Sequence, residues 1–129
     1  MSSERKKLNK QNDILVKKLA KLRDKNICQK CFKYVEGSNA HGAHVIPVSA
    51  GNKLRWDEKN VLTLCMHDHL YWWHKNPLDA GRWFVENFRK RYDYLIKKYD
   101  NGSVQKFTVQ ELKEINVHLK KKIARKEGV

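Results

Sequence analysis

Between about residues 3 and 25, Leu8, Leu15, Leu19 and Leu22 recur at helical intervals among many lysines, which predicts an amphipathic helix with one apolar stripe. From residue 26 to 64 that period is lost. Gly37, Gly42, Pro47 and Gly51 punctuate this region, and its aliphatic segments, Ala43 to Val48 and Val61 to Leu64, predict two short strands joined by a loop. A helix is expected to begin near Cys65 or Met66, carry His69 and run into the aromatic stretch Tyr71-Trp72-Trp73. Asn76-Pro77-Leu78-Asp79 has the form of an N-cap, a proline at the first helical position and an acid in the first turn. The helix it opens presents Trp83, Phe84 and Phe88 to the core, with a break or bend near Arg89 leading on to Tyr92, Leu95, Ile96 and Tyr99. Asp100-Asn101-Gly102 ends it as a turn. Thr108 and Glu111 match a capping box, and Leu112, Ile115, Leu119 and Ile123 carry a last helix to about Arg125. Aromatic residues at helical spacing, Trp72, Trp73 and Trp83 among them, are expected to pack in the core rather than to stack on bases.

Composition narrows the partners. The chain has 129 residues, 28 of them Lys or Arg against 14 Asp or Glu, for a formal charge of +14. That length predicts one domain spanning 1–129: a basic N-terminal helix over 1–25, a metal-binding core over 26–78 and C-terminal helices over 79–129. So basic a balance favours a polyanion, with nucleic acid first and a membrane surface second. No apolar run approaches the length of a membrane span, and the polar Met1-Ser2-Ser3-Glu4-Arg5 start lacks the apolar stretch of a secretory signal, so a soluble, cytoplasmic protein is expected. The last helix ends in Lys120, Lys121, Lys122, Arg125 and Lys126, which suit the negative end of its dipole as well as a phosphate backbone.

The chemistry is concentrated between residues 28 and 74, where all three cysteines and five of the six histidines fall. Two thiolates three residues apart grip one tetrahedral ion from a tight turn, and Cys28 and Cys31 form such a pair. Cys65 begins a second set, whose next ligand is either Asp68, at the three-residue spacing, or His67, which would complete the more familiar Cys3His set. A structural zinc ion is therefore expected. A redox role for the Cys28–Cys31 pair would need alternating strands and helices around it, and it leaves the histidines without a task.

These residues resemble the HNH, or ββα-metal, endonucleases, and among them the small phage enzymes with a zinc clip. The resemblance rests on Cys28 and Cys31, His44-Val45-Ile46-Pro47, Arg55-Trp56-Asp57, Asn60, Leu64-Cys65, His69 and Trp73-His74-Lys75-Asn76-Pro77, which follow in order over about residues 26 to 100. The flanking basic helices are outside it. What it implies is an α+β fold that is mostly α: a ββα-metal core with a structural zinc clip, surrounded by helices. His44 would be the general base, and Asn60 would bridge backbone groups to hold loop and base in register. His69 would be a ligand of a catalytic divalent ion (Mg2+, Mn2+, Ni2+ or Zn2+), with His74 a second ligand. Lys53 and Arg55, in the loop between the strands where the family's phosphate contacts cluster, would contact DNA phosphates. Apart from the resemblance, Arg82, Arg89, Lys90, Arg91, Lys97 and Lys98 form a basic set of which some are expected to touch phosphate, with Arg82 the candidate. The chain departs from the family at Ala43, where many members place an Asp or His ligand before the base. His41, two residues earlier on the same strand face, or a water would take that ligand's place.

The function implied is metal-dependent hydrolysis of DNA phosphodiester bonds, as a nickase if the protein is a monomer or with both strands cut if it is a homodimer. DNA would be held mainly by its backbone, and a phage origin would place the enzyme in the cytoplasm of a bacterial host. The alternative is a noncatalytic zinc-stabilised DNA-binding module that has lost its catalytic ion.

Overall fold

A computed structural model describes residues 3–128; Met1, Ser2 and Val129 lie outside the described residues. Helix α1 (Ser3–Arg23) is followed by an irregular segment, strand β1 (Ala40–His44), a long loop and strand β2 (Val61–Cys65). A helical turn α2 (Met66–Asp68) widens into a π-turn (His69–Trp73), and α3 (Pro77–Asn87), α4 (Arg89–Asp100) and α5 (Val109–Lys126) complete the chain. The architecture is α+β and mostly helical, with one two-stranded antiparallel sheet in which His41 pairs with Leu64 and His44 with Val61.

The sheet is buried on both faces, so β2 has no polar alternation. Leu62 and Leu64 pack with Phe84, Leu95, Val35 and Cys28 on one side, while Val61 packs with Val16, Leu19, Leu112 and Ile123 on the other. Strands buried on two faces become continuous apolar runs, and Val61-Leu62-Thr63-Leu64-Cys65 is buried throughout. α1 and α5 form the larger helix pair. A buried amide pair sets their register: Asn12 Nδ2 donates to the Leu112 carbonyl at 3.1 Å, and Asn116 Nδ2 donates to Asn12 Oδ1 at 3.1 Å. Truncating either amide strands buried polar atoms, which ties each helix to one alignment.

The free edge of β2 is covered rather than open. Arg23 and Arg91 both donate to the Val61 carbonyl, and the Thr63 N–H donates to Asp24 Oδ2. Such cover blocks pairing with another chain.

The first strand begins earlier than the aliphatic run suggests and ends where that run starts. After His44 the chain leaves the ladder, because Pro47 has no N–H to offer and because Asn60 takes over the backbone groups of Val45 and Ile46. Gly42 lies inside the strand for a steric reason. A Cβ there would stand 2.6 Å from Lys17 Cγ and 3.2 Å from Val61 Cγ1, so α1 crosses β1 closely only over a glycine. The helix break before Arg89 and the capping box of α5 stand as expected: Thr108 Oγ1 accepts from the Glu111 N–H, and Glu111 Oε1 accepts from the Thr108 N–H. Asn76 precedes Pro77 but makes no side-chain capping bond; in that turn Asp79 accepts from Trp72 Nε1 and Arg82 instead. Trp73 and Trp83 pack against the core cluster, and Trp72 lies edge-on to Trp83. No helix among the described residues is long and apolar enough to cross a membrane.

Candidate metal centre and histidine cleft

The Cys28–Cys31 turn is a knuckle closed by backbone bonds. The Cys28 N–H donates to the Lys33 carbonyl and the Phe32 N–H to the Cys28 carbonyl, each at 2.8 Å, with Phe32 in the left-handed region at φ 64°. A non-glycine residue held there marks a turn that its surroundings enforce. Opposite it, Cys65 closes β2 and caps α2, its Sγ accepting from the Asp68 N–H at 3.3 Å.

Cys28, Cys31, Cys65 and Asp68 thereby bring four ligand atoms within 4.8 Å of one another. Cys31 Sγ lies 3.9 Å from Cys65 Sγ, and Cys28 Sγ lies 3.3 Å from Asp68 Oδ2. For a tetrahedral ion with metal–sulfur bonds of about 2.3 Å the sulfur–sulfur edge is about 3.8 Å. The cluster can hold a metal ion such as zinc, and the three cysteines form no disulfide. Of the two alternatives for the fourth ligand, Asp68 stands with the thiols, whereas His67 is exposed and faces the Tyr71 ring. One helical turn separates residues 65 and 68 and brings them to one face; residue 67 points away. Burial, reinforced by the neighbouring acidic groups, pushes the Cys65 thiol up to about 12, and burial raises Cys28 as well. Burial acts to raise Asp68 too, but hydrogen bonds from the three thiols outweigh it and hold the carboxyl below its usual range. Metal binding at this cluster must therefore displace thiol protons.

A second constellation lines a cavity of about 600 Å³ at the β1 edge of the sheet, bounded by Lys17, His44, His69, Trp73 and His74, with an apolar wall from α3 and α4. The π-turn is what unites His69 and His74. The His74 N–H donates to the His69 carbonyl at 3.2 Å, an i→i+5 bond, and the two rings lie 4.4 Å apart. In an ordinary helix a five-residue offset diverges by more than a quarter turn; the wider turn brings the pair together. From β1, His41 Nδ1 comes within 2.9 Å of His69 Nδ1, and its Nε2–H donates to the Ser38 carbonyl at 2.9 Å. That second bond leaves Nδ1 as the bare nitrogen, the arrangement by which backbone groups orient a ligating imidazole. That separation is a direct hydrogen bond between the two rings, and it is also close to the roughly 3 Å between two nitrogens side by side on an octahedral ion. His41, His69 and His74 do not close into a compact group of ligand atoms as the thiol cluster does. Burial, followed by His74, His41 and Lys17, pulls His69 down to about 4, which keeps it neutral at ordinary pH.

His44 is held by its own backbone bond: Nε2 donates to the Arg55 carbonyl at 2.9 Å, leaving Nδ1 bare. Burial lowers its pKa, the Arg55 carbonyl opposes that, and Lys17 adds to the lowering. Asn60 is fully buried and clamps the loop around it. Its Oδ1 accepts from the Ile46 N–H at 2.8 Å, while Nδ2 donates to the carbonyls of Ile46 at 2.9 Å and Leu54 at 3.2 Å. Ala43 is fully buried in the core and offers the cleft nothing.

The expected phosphate contacts are placed differently from one another. Arg55 is engaged elsewhere: Asp13 grips its Nε and Nη2 at 2.9 and 2.7 Å, its guanidinium lies over the Trp56 ring, and Trp56 Nε1 donates to the same carboxylate at 2.9 Å. Asp13 takes the Nε/Nη2 side of the guanidinium and leaves Nη1 to the surroundings, and Arg55 also reaches the site through the carbonyl that holds His44. Lys53 is half-buried and donates to the Lys98 carbonyl at 3.1 Å. Arg82 is exposed and pairs with Asp79. Two residues of α1 escaped the sequence reading, Asp13 and Lys17. Their four-residue spacing puts them on one helix face, but nothing local says that this face meets the sheet. Lys17 forms no hydrogen bond or ion pair among the described residues, and its stem lies in the notch over Gly42.

No protein-family model matches the chain, and no curated protein or solved structure is similar enough to match it.

Proposed function

We propose that the protein is a metal-dependent endonuclease of the HNH type that hydrolyses DNA phosphodiester bonds. The observation that carries this reading is His44: a half-buried imidazole whose pKa burial lowers, with one nitrogen tied to a backbone carbonyl and the other free, in a cleft shared with His69, His74 and an unpaired lysine. A base poised to be unprotonated near neutral pH is what water activation requires. His41, His69 and His74 are the residues that would hold the divalent ion, which when bound stabilises charge on the phosphate and the departing 3′ oxygen.

The chain's own part follows from the contacts. His44 Nδ1 takes the proton of the attacking water as its oxygen bonds to phosphorus and the P–O3′ bond breaks. The Arg55 carbonyl keeps the proton of His44 on Nε2 and so keeps the working nitrogen free. Asn60 fixes the loop that carries that carbonyl, and Asp13 of α1 braces it by accepting from Arg55 and Trp56. Lys17 lies where it can face a phosphate oxygen. The thiol clip, loaded with zinc, would lock β2 and α2 to the knuckle, and a net charge of +14 supplies backbone affinity for DNA in the host cytoplasm. A monomer with one such cleft nicks, and a symmetric dimer cuts both strands.

One observation favours the noncatalytic DNA-binding module as the second reading: the cleft's ligands are all histidines, and Ala43 leaves no carboxylate beside the base. Supercoiled plasmid decides between them. Wild type is expected to give nicked or linear DNA in Mg2+ or Mn2+, and no product with chelator or as His44→Ala. Folded, zinc-loaded wild type that cuts in none of the metals is the binding module.

A further inference from the structure

At the opposite edge of the sheet from the histidine cleft lies a cavity of about 450 Å³ whose lining holds six cationic side chains: Arg23, Lys59, Arg91, Lys122, Arg125 and Lys126. They come from four separate parts of the chain, namely α1, the loop before β2, α4 and α5. Glu58 is the one carboxylate in that lining, and Lys122 already engages it. Arg91 is the informative member. It is half-buried, donates only to the carbonyls of Lys59 and Val61, and makes no ion pair among the described residues. Its guanidinium is lowered to about 10, by burial first and by Arg23 second, and so stays charged at neutral pH. Lys59 lies over the Tyr94 ring, while Arg125 and Lys126 are exposed with no partner among the described residues.

Gathering like charges from distant segments is unfavourable. Asp24 pairs with Arg23 and, with Glu58 and Asp57, acts to keep Arg91 charged, but Arg125 and Lys126 add two cations that no carboxylate among the described residues engages. We infer that this cavity is a second anion site, formed where α5 meets the covered edge of β2, and that it takes a phosphate of a nucleic-acid backbone away from the histidine cleft. The chemistry fits: cationic side chains reach the cavity from four segments, its apolar wall is their alkyl stems together with Leu19, and no aromatic ring lines it for a base to stack on. The site therefore positions nucleic acid without reading it. Two phosphate contacts on opposite edges of one ribbon would orient a strand across the molecule.

The test reads binding, so it stands apart from whether the cleft cuts. In a His44→Ala background, the affinity for a short oligonucleotide is followed against salt for the parent, for Arg125→Gln/Lys126→Gln and for a charge-matched control, Lys6→Gln/Lys10→Gln on the exposed face of α1. Glutamine keeps helix propensity, and all four positions are exposed, so folding is retained. Removing one cation that neutralises a phosphate lowers the slope of log affinity against log salt by about 0.7–0.9. The α5 pair is expected to lower it by roughly 1.5, and the control by less than half as much. Equal slopes in the two double variants would overturn the site. Inorganic tripolyphosphate is the second arm. If it raises the Tm of the parent but not of the α5 variant, while the oligonucleotide slope is unchanged, the cavity binds free polyphosphate and the nucleic-acid assignment fails.

Discussion

Asn60→Ala separates what holds the cleft together from what the cleft does. The side chain is fully buried and makes three hydrogen bonds, to the Ile46 N–H and to the carbonyls of Ile46 and Leu54. Each buried polar group left without a partner costs about 1–3 kcal/mol. Leu54 is nearly inaccessible, whereas Ile46 is half-buried at the cleft rim, where water can replace part of what is lost. The expected destabilisation is therefore about 3 kcal/mol, with the void from the missing amide a smaller addition. For a chain of this size that corresponds to a Tm lower by roughly 10 °C. Asn60→Asp should be at least as damaging, because it points a carboxylate oxygen at two carbonyls in place of the donor. Neither change touches the thiol cluster, so zinc content should be unaltered. Urea unfolding of zinc-saturated protein, together with colorimetric zinc release, measures both quantities. A loss below 1 kcal/mol would mean that the loop is held by something other than Asn60, and parallel loss of zinc would mean that the two sites are not independent.

Other perturbations follow from the same geometry. Asp68→Ala should weaken zinc retention against a competing chelator by at least 10-fold, since losing even an outer-shell partner of a ligand typically costs about 10–100-fold, while His67→Ala should leave it unchanged; the reverse order would reassign the fourth ligand. Lys17→Met should slow plasmid nicking by about 10–100-fold, the effect of deleting one charge that faces the transition state, with Lys17→Arg partly active; wild-type rates in Lys17→Met would remove this lysine from the mechanism. Because burial depresses His44, its folded pKa lies below the unfolded value of about 6.5. The sign follows: the folded state disfavours the proton, so this contribution to stability is complete above about pH 6.5 and is lost as pH falls through the lower folded value. His44→Gln should flatten that acid limb in a Tm-against-pH series, and an identical slope would contradict the assignment of burial as the cause.

The local rules written in the chain were sufficient for the helices. Apolar period, the Thr108–Glu111 box and the Pro77 start depend on neighbours within a turn or two, and those elements stand close to where they were expected. The two thiols of the knuckle, Cys65 and the run of histidines were equally visible, since ligand spacing is itself a local property. The fourth member of the thiol cluster was not, because choosing Asp68 over His67 depends on the helical phase that begins at Cys65. Strand β1 was displaced because Gly42 has no local reason to be in a strand; its reason is Lys17, which is distant in sequence. The convergence of His69 with His74 depends on a π-turn that no residue type announces. Arg55 was visible as a loop cation, but its pairing with Asp13 of α1 was not. Short-range sterics and ligand spacing thus settle which groups the protein has to work with. Long-range packing alone settles which of them meet, because a side chain's partner across the core is chosen by the closing of the fold and not by its neighbours in sequence.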